Sequence, residues 1–137
     1  MADNETKKEY LKSYKKNYDK LKALEEQLSS IREVKQSAKT QTLYGMPKGT
    51  KQTDISDYMV RLDDLISKIN NHKNVCMQLL VDIEESIIKM EHGIECQILH
   101  KKYIEFKDWE QICTEIGYCW KQTHRYHNKA IDNFLMT

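Results

Sequence analysis

Helix-breaking residues are so few in this chain that they mark its joints. Among 137 residues there are 4 Gly and 1 Pro, placed as Gly45, Pro47 and Gly49 together, then Gly93, then Gly117. Glycine and proline are the strongest local punctuation of a backbone. With none elsewhere, and with Lys, Glu, Asp, Gln, Leu and Ile abundant, the intervening stretches are expected to be long helices. No alternating polar–apolar strand pattern occurs, so the expected fold class is all-α.

The first stretch, from about Glu5 to Lys39, carries apolar residues at Leu11, Tyr14, Tyr18, Leu21, Leu24, Leu28, Ile31 and Ala38. Steps of three and four put them on one stripe of a helix about 50 Å long. The stripe drifts where Leu21 to Leu24 interrupts the heptad. A second stretch keeps a stricter heptad through Ile55, Tyr58, Leu62, Leu65, Ile69, His72, Cys76, Leu79, Ile83, Ser86 and Met90, with Ile87 beside it. That is a coiled-coil seam, and Thr53 or Asp54 is placed to cap its start.

Residues 40–53 form the loop between these helices and let them fold back as an antiparallel hairpin. In that arrangement Lys7, Lys8, Lys12, Lys15, Lys16, Lys20 and Lys22 find their acidic neighbours near Asp82, Glu84, Glu85 and Glu91. Each exposed pair is worth only about 0.5 kcal/mol. The expected domains are a long helical hairpin over residues 1–91 and a compact three-helix unit over 92–137.

His92-Gly93 ends the second helix. A third is expected from about Ile94 through Ile98, Leu99, Tyr103 and Ile104, and Phe106-Lys107 makes the next turn. Asp108 caps a short fourth helix, with Gln111 in the capping-box position. That helix turns Ile112, Cys113 and Ile116 inward. Gly117 supplies the positive φ of a sharp turn, and Tyr118 is expected to plug the core beneath it. In the last helix Thr123, Tyr126, Ala130 and Phe134 face inward, which leaves Trp120, Lys121, Gln122, His124, Arg125 and Asn128 outside.

From Cys119 to Ile131 there is no acidic residue, but Lys121, Arg125 and Lys129 are basic. The whole chain has a net charge of only +1, which excludes a uniformly basic DNA-coating protein and makes this a local footprint. Two short helices about a glycine turn, the second with such a face, read as a helix-turn-helix suited to a DNA groove. Arg125 or Lys121 has the donor geometry for guanine O6 and N7, and Gln122 that for adenine. His124, Lys129 and Lys107 are assigned to phosphates, which position without specifying. Trp120 is assigned to sugar or a thymine methyl, and Asn128 lies on the same face. The competing reading is an ordinary three-helix packing unit with a solvated basic face.

The runs Leu99-His100-Lys101-Lys102-Tyr103-Ile104, Trp109-Glu110-Gln111-Ile112, Ile116-Gly117-Tyr118 and Arg125-Tyr126-His127 resemble the fourth-region helix-turn-helix of bacterial sigma factors. They resemble more closely the RinA- and ArpU-like late transcription regulators of phages and prophages of Gram-positive bacteria. Tyr44-Gly45-Met46-Pro47-Lys48-Gly49 followed by Asp54-Ile55-Ser56-Asp57-Tyr58 is similar to a hallmark of one branch of that family. The resemblance implies a long N-terminal helical part and a sigma-like C-terminal helix-turn-helix. It also implies control of phage genes at promoter DNA, with host RNA polymerase as a further partner. The chain departs from the family pattern at Cys119, where Ser is usual and a thiol caps poorly. It departs again at Thr123, in place of a branched aliphatic, and at Trp120.

Other signals point to packing. Cys76, Cys96, Cys113 and Cys119 are read as reduced thiols on helices. Cys96 with His100, and His124 with His127, share helix faces, but no four-ligand zinc set converges and no Cys-x-x-Cys exists. No metal or other cofactor is therefore expected. His72 is read as a tolerated or hydrogen-bonded polar residue on the seam, and Tyr10, Tyr14 and Tyr18 as helix packing. The Gly45–Gly49 loop lacks the strand and the Gly-Lys-Ser/Thr that a phosphate loop needs. It is either a plain turn or a tip presented to a partner protein.

No spacing supports a catalytic carboxylate pair or an activated nucleophile, so the protein is read as a non-enzyme. No secretory segment and no run of eighteen apolar residues occurs. The expected location is the cytoplasm of a bacterial host cell, with no membrane partner. A two-helix hairpin buries its seam poorly alone, so either the C-terminal unit covers it or two hairpins dimerise. A homodimer is preferred, because it also sets two recognition helices on paired half-sites of double-stranded DNA. The function expected is a sequence-specific phage or prophage transcription regulator. The alternatives are the small, DNA-recognising subunit of a phage packaging terminase, or a coiled-coil adaptor that binds no DNA.

Overall fold

The computed structural model describes residues 3–42 and 51–136, with side chains described for 3–33 and 56–136. Most of these residues are helical, with no strand among them. The expected Gly45–Gly49 turn lies outside the described residues, as do the side chains of Ala38, Thr53, Asp54 and Ile55.

Helix α1 spans Asn4–Thr42 and α2 spans Lys51–Ile88. Asp3 caps α1, its carboxylate accepting the Thr6 N–H at 2.8 Å. This cap satisfies an orphan amide of the first turn and was not singled out by the sequence. Because α2 opens at Lys51, Thr53 and Asp54 lie inside its first turn rather than ahead of it, which corrects the expected cap. At its other end α2 stops at Ile88, short of Glu91, where the Met90 N–H bonds the Ile87 carbonyl at 3.0 Å in a tight turn.

Three further helices follow: α3 (Gly93–Leu99), α4 (Trp109–Ile116) and α5 (Trp120–Asn133). The helix expected to run through Ile104 does so, with a change of kind in its last turn. After Leu99 the backbone widens into a π turn over His100–Ile104, and the Glu105 N–H reaches the His100 carbonyl at 3.0 Å. Phe106 then takes the left-handed φ of 61°, a conformation that costs a non-glycine residue about 1–2 kcal/mol. It is held there by rings: Tyr14 lies 5.6 Å and Tyr18 5.2 Å from it, centroid to centroid.

The chain divides into two compact units. One is Asp19–Asn74, parts of α1 and α2. In it Leu21, Leu24, Leu28 and Ile31 of α1 and Tyr58, Leu62 and Leu65 of α2 are half-buried, and Ile69 is buried. The Tyr58 hydroxyl donates to the Ile31 carbonyl at 2.8 Å, tying the helices together. His72 is half-buried on the seam with its Nδ1 unpartnered. Most seam residues remain half-exposed, because two helices offer each other a single stripe.

The other unit is Met1–Tyr18 with Val75–Thr137. Its core gathers Leu11 and Tyr14 from α1, Cys76, Ile83 and Ile87 from α2, and Ile98, Leu99, Tyr103, Ile112, Ala130, Ile131 and Phe134 from the C-terminal elements. Each Leu, Ile and Phe among them, fully buried, contributes about 1.5–3 kcal/mol. The buried Glu95 carboxylate accepts from the Asn133 amide at 2.9 and 3.2 Å, joining α3 to the end of α5. Cys96 donates its thiol to the Ile87 carbonyl at 3.2 Å, a packing role.

The expected pairing of Lys7 and Lys8 with the acids of α2 is corrected. Lys7 donates to the carbonyls of Ile131 and Asp132 at 3.2 and 3.0 Å, where a cation satisfies the orphan carbonyls and negative dipole end of α5. Lys8 pairs with Glu5 at 3.7 Å, and Glu84 with His100 at 3.2 Å. Among the described residues no helix is long and apolar enough to cross a membrane.

Candidate nucleic-acid interface

Helix α4 begins where the Asp108 carboxylate accepts the Gln111 N–H at 2.8 Å, as expected of its cap. It ends at Gly117, whose φ of 78° is left-handed and whose N–H bonds the Cys113 carbonyl at 3.0 Å. A glycine adopts that conformation without the Cβ penalty. Three residues, Gly117 to Cys119, separate Ile116 from the start of α5 at Trp120. Cys119 occupies the cap position in extended geometry, but its side chain makes no capping hydrogen bond. A thiol is too weak an acceptor for that role.

The last helix buries Thr123, His127, Ala130 and Ile131, with Phe134 just beyond its end. His127, not Tyr126, is thus the inward residue, a correction to the expected face. The signal was present, since Thr123, His127, Ala130 and Phe134 step by four, three and four. Tyr126 is half-buried and meets Tyr118 edge-on at 5.2 Å. Tyr118 itself is 40% exposed, so it covers Tyr126 from outside and does not plug the core. Ile112 is fully buried, while Cys113 and Ile116 are half-buried.

The outward face carries most of the expected site residues together. Lys121, Arg125, Asn128 and Lys129 are exposed, Gln122 and His124 half-buried, and Trp120 is 58% exposed at the helix start. Among the described residues none of Lys121, Arg125 and Lys129 has a carboxylate within ion-pair distance. Lys107 stands apart from them. Its ammonium lies 2.6 Å from Glu115 and 3.2 Å from Glu105, and the bond to Glu115 chiefly pushes its pKa up. It ties the turn after the π segment to α4 and is not free for a phosphate.

Aromatic contacts missed by the sequence reading fix the start of α5. The His124 ring lies between Trp109 and Trp120, 4.3 Å from each, and its Nδ1 donates to the Trp120 carbonyl at 3.0 Å. Trp109 also meets His127 edge-on at 4.8 Å, and Lys102 sits 4.8 Å over the Trp109 ring. Comparison with protein-family models, curated proteins and solved structures finds no match. Among the described residues no group of three or more His, Cys, Asp and Glu is gathered for a metal ion. What the surface offers is donors: ammonium, guanidinium and amide groups without competing carboxylates.

Proposed function

We propose that this chain is a sequence-specific DNA-binding transcription regulator of the phage or prophage type, reading promoter DNA with α5. The observation that carries this reading is the outward face of that helix. Lys121, Arg125 and Lys129 lie there unneutralised among the described residues, although the whole chain is charge-balanced at +1. Three such cations along one exposed helix, with Gln122 and Asn128 between them, suit phosphates and base edges together. The three-residue turn at Gly117 supports reading α4 and α5 as a helix-turn-helix. The Tyr58–Ile31 bond supports reading α1 and α2 as an antiparallel hairpin. Host RNA polymerase and a second copy of the chain belong to the same proposal as partners.

The test is a duplex titration at two salt concentrations with wild type and Arg125→Ala. The expected outcome is salt-sensitive binding by wild type and a loss of about 5- to 150-fold in the variant, the range for one base-reading contact. Equal binding by both, or salt-insensitive binding, overturns the assignment of α5.

A further inference from the structure

In the unit of Met1–Tyr18 and Val75–Thr137, two groups of lysines differ in their surroundings. Lys101 and Lys107 share Glu115, at 3.0 and 2.6 Å. Lys102, on the same π turn as Lys101, has no carboxylate within ion-pair distance among the described residues and lies over the Trp109 ring. On α1, Lys8, Lys12 and Lys15 stand at i, i+4 and i+7, hence on one face. The Lys15 ammonium is 5.9 Å from the centre of the Phe106 ring, and Tyr14 and Tyr18 hold that ring from the same helix. This face of α1 therefore lies beside the segment that carries Lys102 and Trp109.

The cations act on one another. Burial first, then repulsion from Lys15 and Lys12, holds the Lys102 ammonium below its usual pKa, with Asp108 acting in the opposite sense. Lys8, Lys12 and Lys102 likewise bear on His127. Among the negative groups near the cluster, Asp108 acts on Lys102, Glu5 lies 3.7 Å from Lys8, and Glu84 acts on the neighbouring Tyr14. Gathering like charges from two elements destabilises a fold unless an external anion neutralises them. The cluster also joins α5 through one contact chain, Lys102 over Trp109 and Trp109 against His124. A polyanion running along α5 can therefore reach it, which favours a nucleic-acid backbone over a short acidic peptide.

We infer that Lys12, Lys15 and Lys102 form a second phosphate-binding surface for duplex DNA, adjoining the start of α5, so that α1 holds the backbone while α5 reads the groove. This inference rests on the DNA-binding reading above. Its contacts are to phosphate, so they strengthen binding to every sequence alike, whereas Arg125 discriminates between sequences.

The test measures affinity of the full chain for a promoter duplex and an unrelated duplex over a series of salt concentrations. The variants are Lys12→Gln/Lys15→Gln/Lys102→Gln, the charge-keeping Lys12→Arg/Lys15→Arg/Lys102→Arg, and Arg125→Ala, each with its helicity checked by circular dichroism. Every phosphate that a variant leaves unneutralised lowers the slope of log K against log salt by about 0.9. The Gln variant is expected to lose about 2 to 3 from that slope on both duplexes, and the Arg variant to keep it. A wild-type slope in the Gln variant overturns this surface and leaves the α5 reading to stand on Arg125→Ala. Equal losses in the Gln and Arg variants also overturn it, since packing and not charge is then at work. A reduced slope in the Gln variant alone, with Arg125→Ala unaffected, supports this surface and sinks the α5 reading. No salt-sensitive binding by wild type removes both.

Discussion

The Tyr103 hydroxyl lies 2.8 Å from Nε2 of His127, and both side chains are buried, 5% and 6% exposed. The pair joins the π turn to α5 inside the core. Burial pushes the Tyr103 phenol up to about 12 and, with help from nearby cations, the His127 imidazole down to about 4. Both groups are therefore neutral in the folded protein at physiological pH.

The pH dependence of stability follows from those shifts. An unfolded histidine titrates near 6.5, so between about 6.5 and 4 the unfolded chain takes up a proton that the folded chain refuses. His127 thus makes the protein less stable as pH falls through that window, by about 3 kcal/mol at most. Tyr103 does the reverse at the alkaline end, with stability falling as pH rises from about 10 to 12. Urea unfolding at pH 7 and pH 5 reads the acid limb, and His127→Gln should flatten it. An unchanged difference between the two pH values in that variant would rule out His127 as the source.

Two glycines should respond oppositely to alanine. At Gly117 an added Cβ meets nothing within 4 Å, but φ is +78°, so the cost is conformational, about 1–2 kcal/mol. At Gly93, the first residue of α3, the space is equally open and no left-handed φ is required. There the substitution should stabilise by about 0.5 kcal/mol through the unfolded state. Thermal melts of the two single variants check this, and a shift of the same sign in both refutes it.

The two caps of the α4–α5 pair differ in chemistry and should differ in response. Asp108→Ala removes an observed carboxylate cap and should cost about 1 kcal/mol. Cys119→Ser places a hydroxyl where the backbone is already extended, with φ −70° and ψ 166°, and should gain about 0.5–1 kcal/mol. Unfolding midpoints measure both. No gain at Cys119→Ser would mean that its Oγ does not reach the first amides of α5.

Much of this was legible in the sequence, and the misses share a cause. Gly93 and Gly117 mark helix joints because a turn's backbone demand is local. The seam from Leu62 to Ile87 is legible because a helix repeats its face whatever lies opposite. The exposure of Lys121, Arg125 and Lys129 follows from the same periodicity. Helical spacing admits Tyr126 and His127 equally, and what decides for His127 is Tyr103, which stands on a π turn that no local rule announces. Lys107 read as a free cation because Glu115, eight residues on, meets it only through the fold. Lys7 read as a partner for α2 and instead holds carbonyls at the far end of α5.

Thr123 is fully buried and its hydroxyl has no hydrogen-bond partner among the described residues. An orphaned buried hydroxyl costs about 1–3 kcal/mol, and valine has the same shape without it. Thr123→Val should therefore stabilise the fold by about 1 kcal/mol, read as a higher unfolding midpoint. A loss of stability instead would show that the hydroxyl is satisfied in solution.

The chain has 2 Trp residues, and both lie against the same imidazole, His124. All of its indole emission therefore comes from one patch at the start of α5. Whatever settles on Trp120 dims or shifts the same light. The protein carries an unlabelled optical probe of this face, and its long helices contribute no indole background to it.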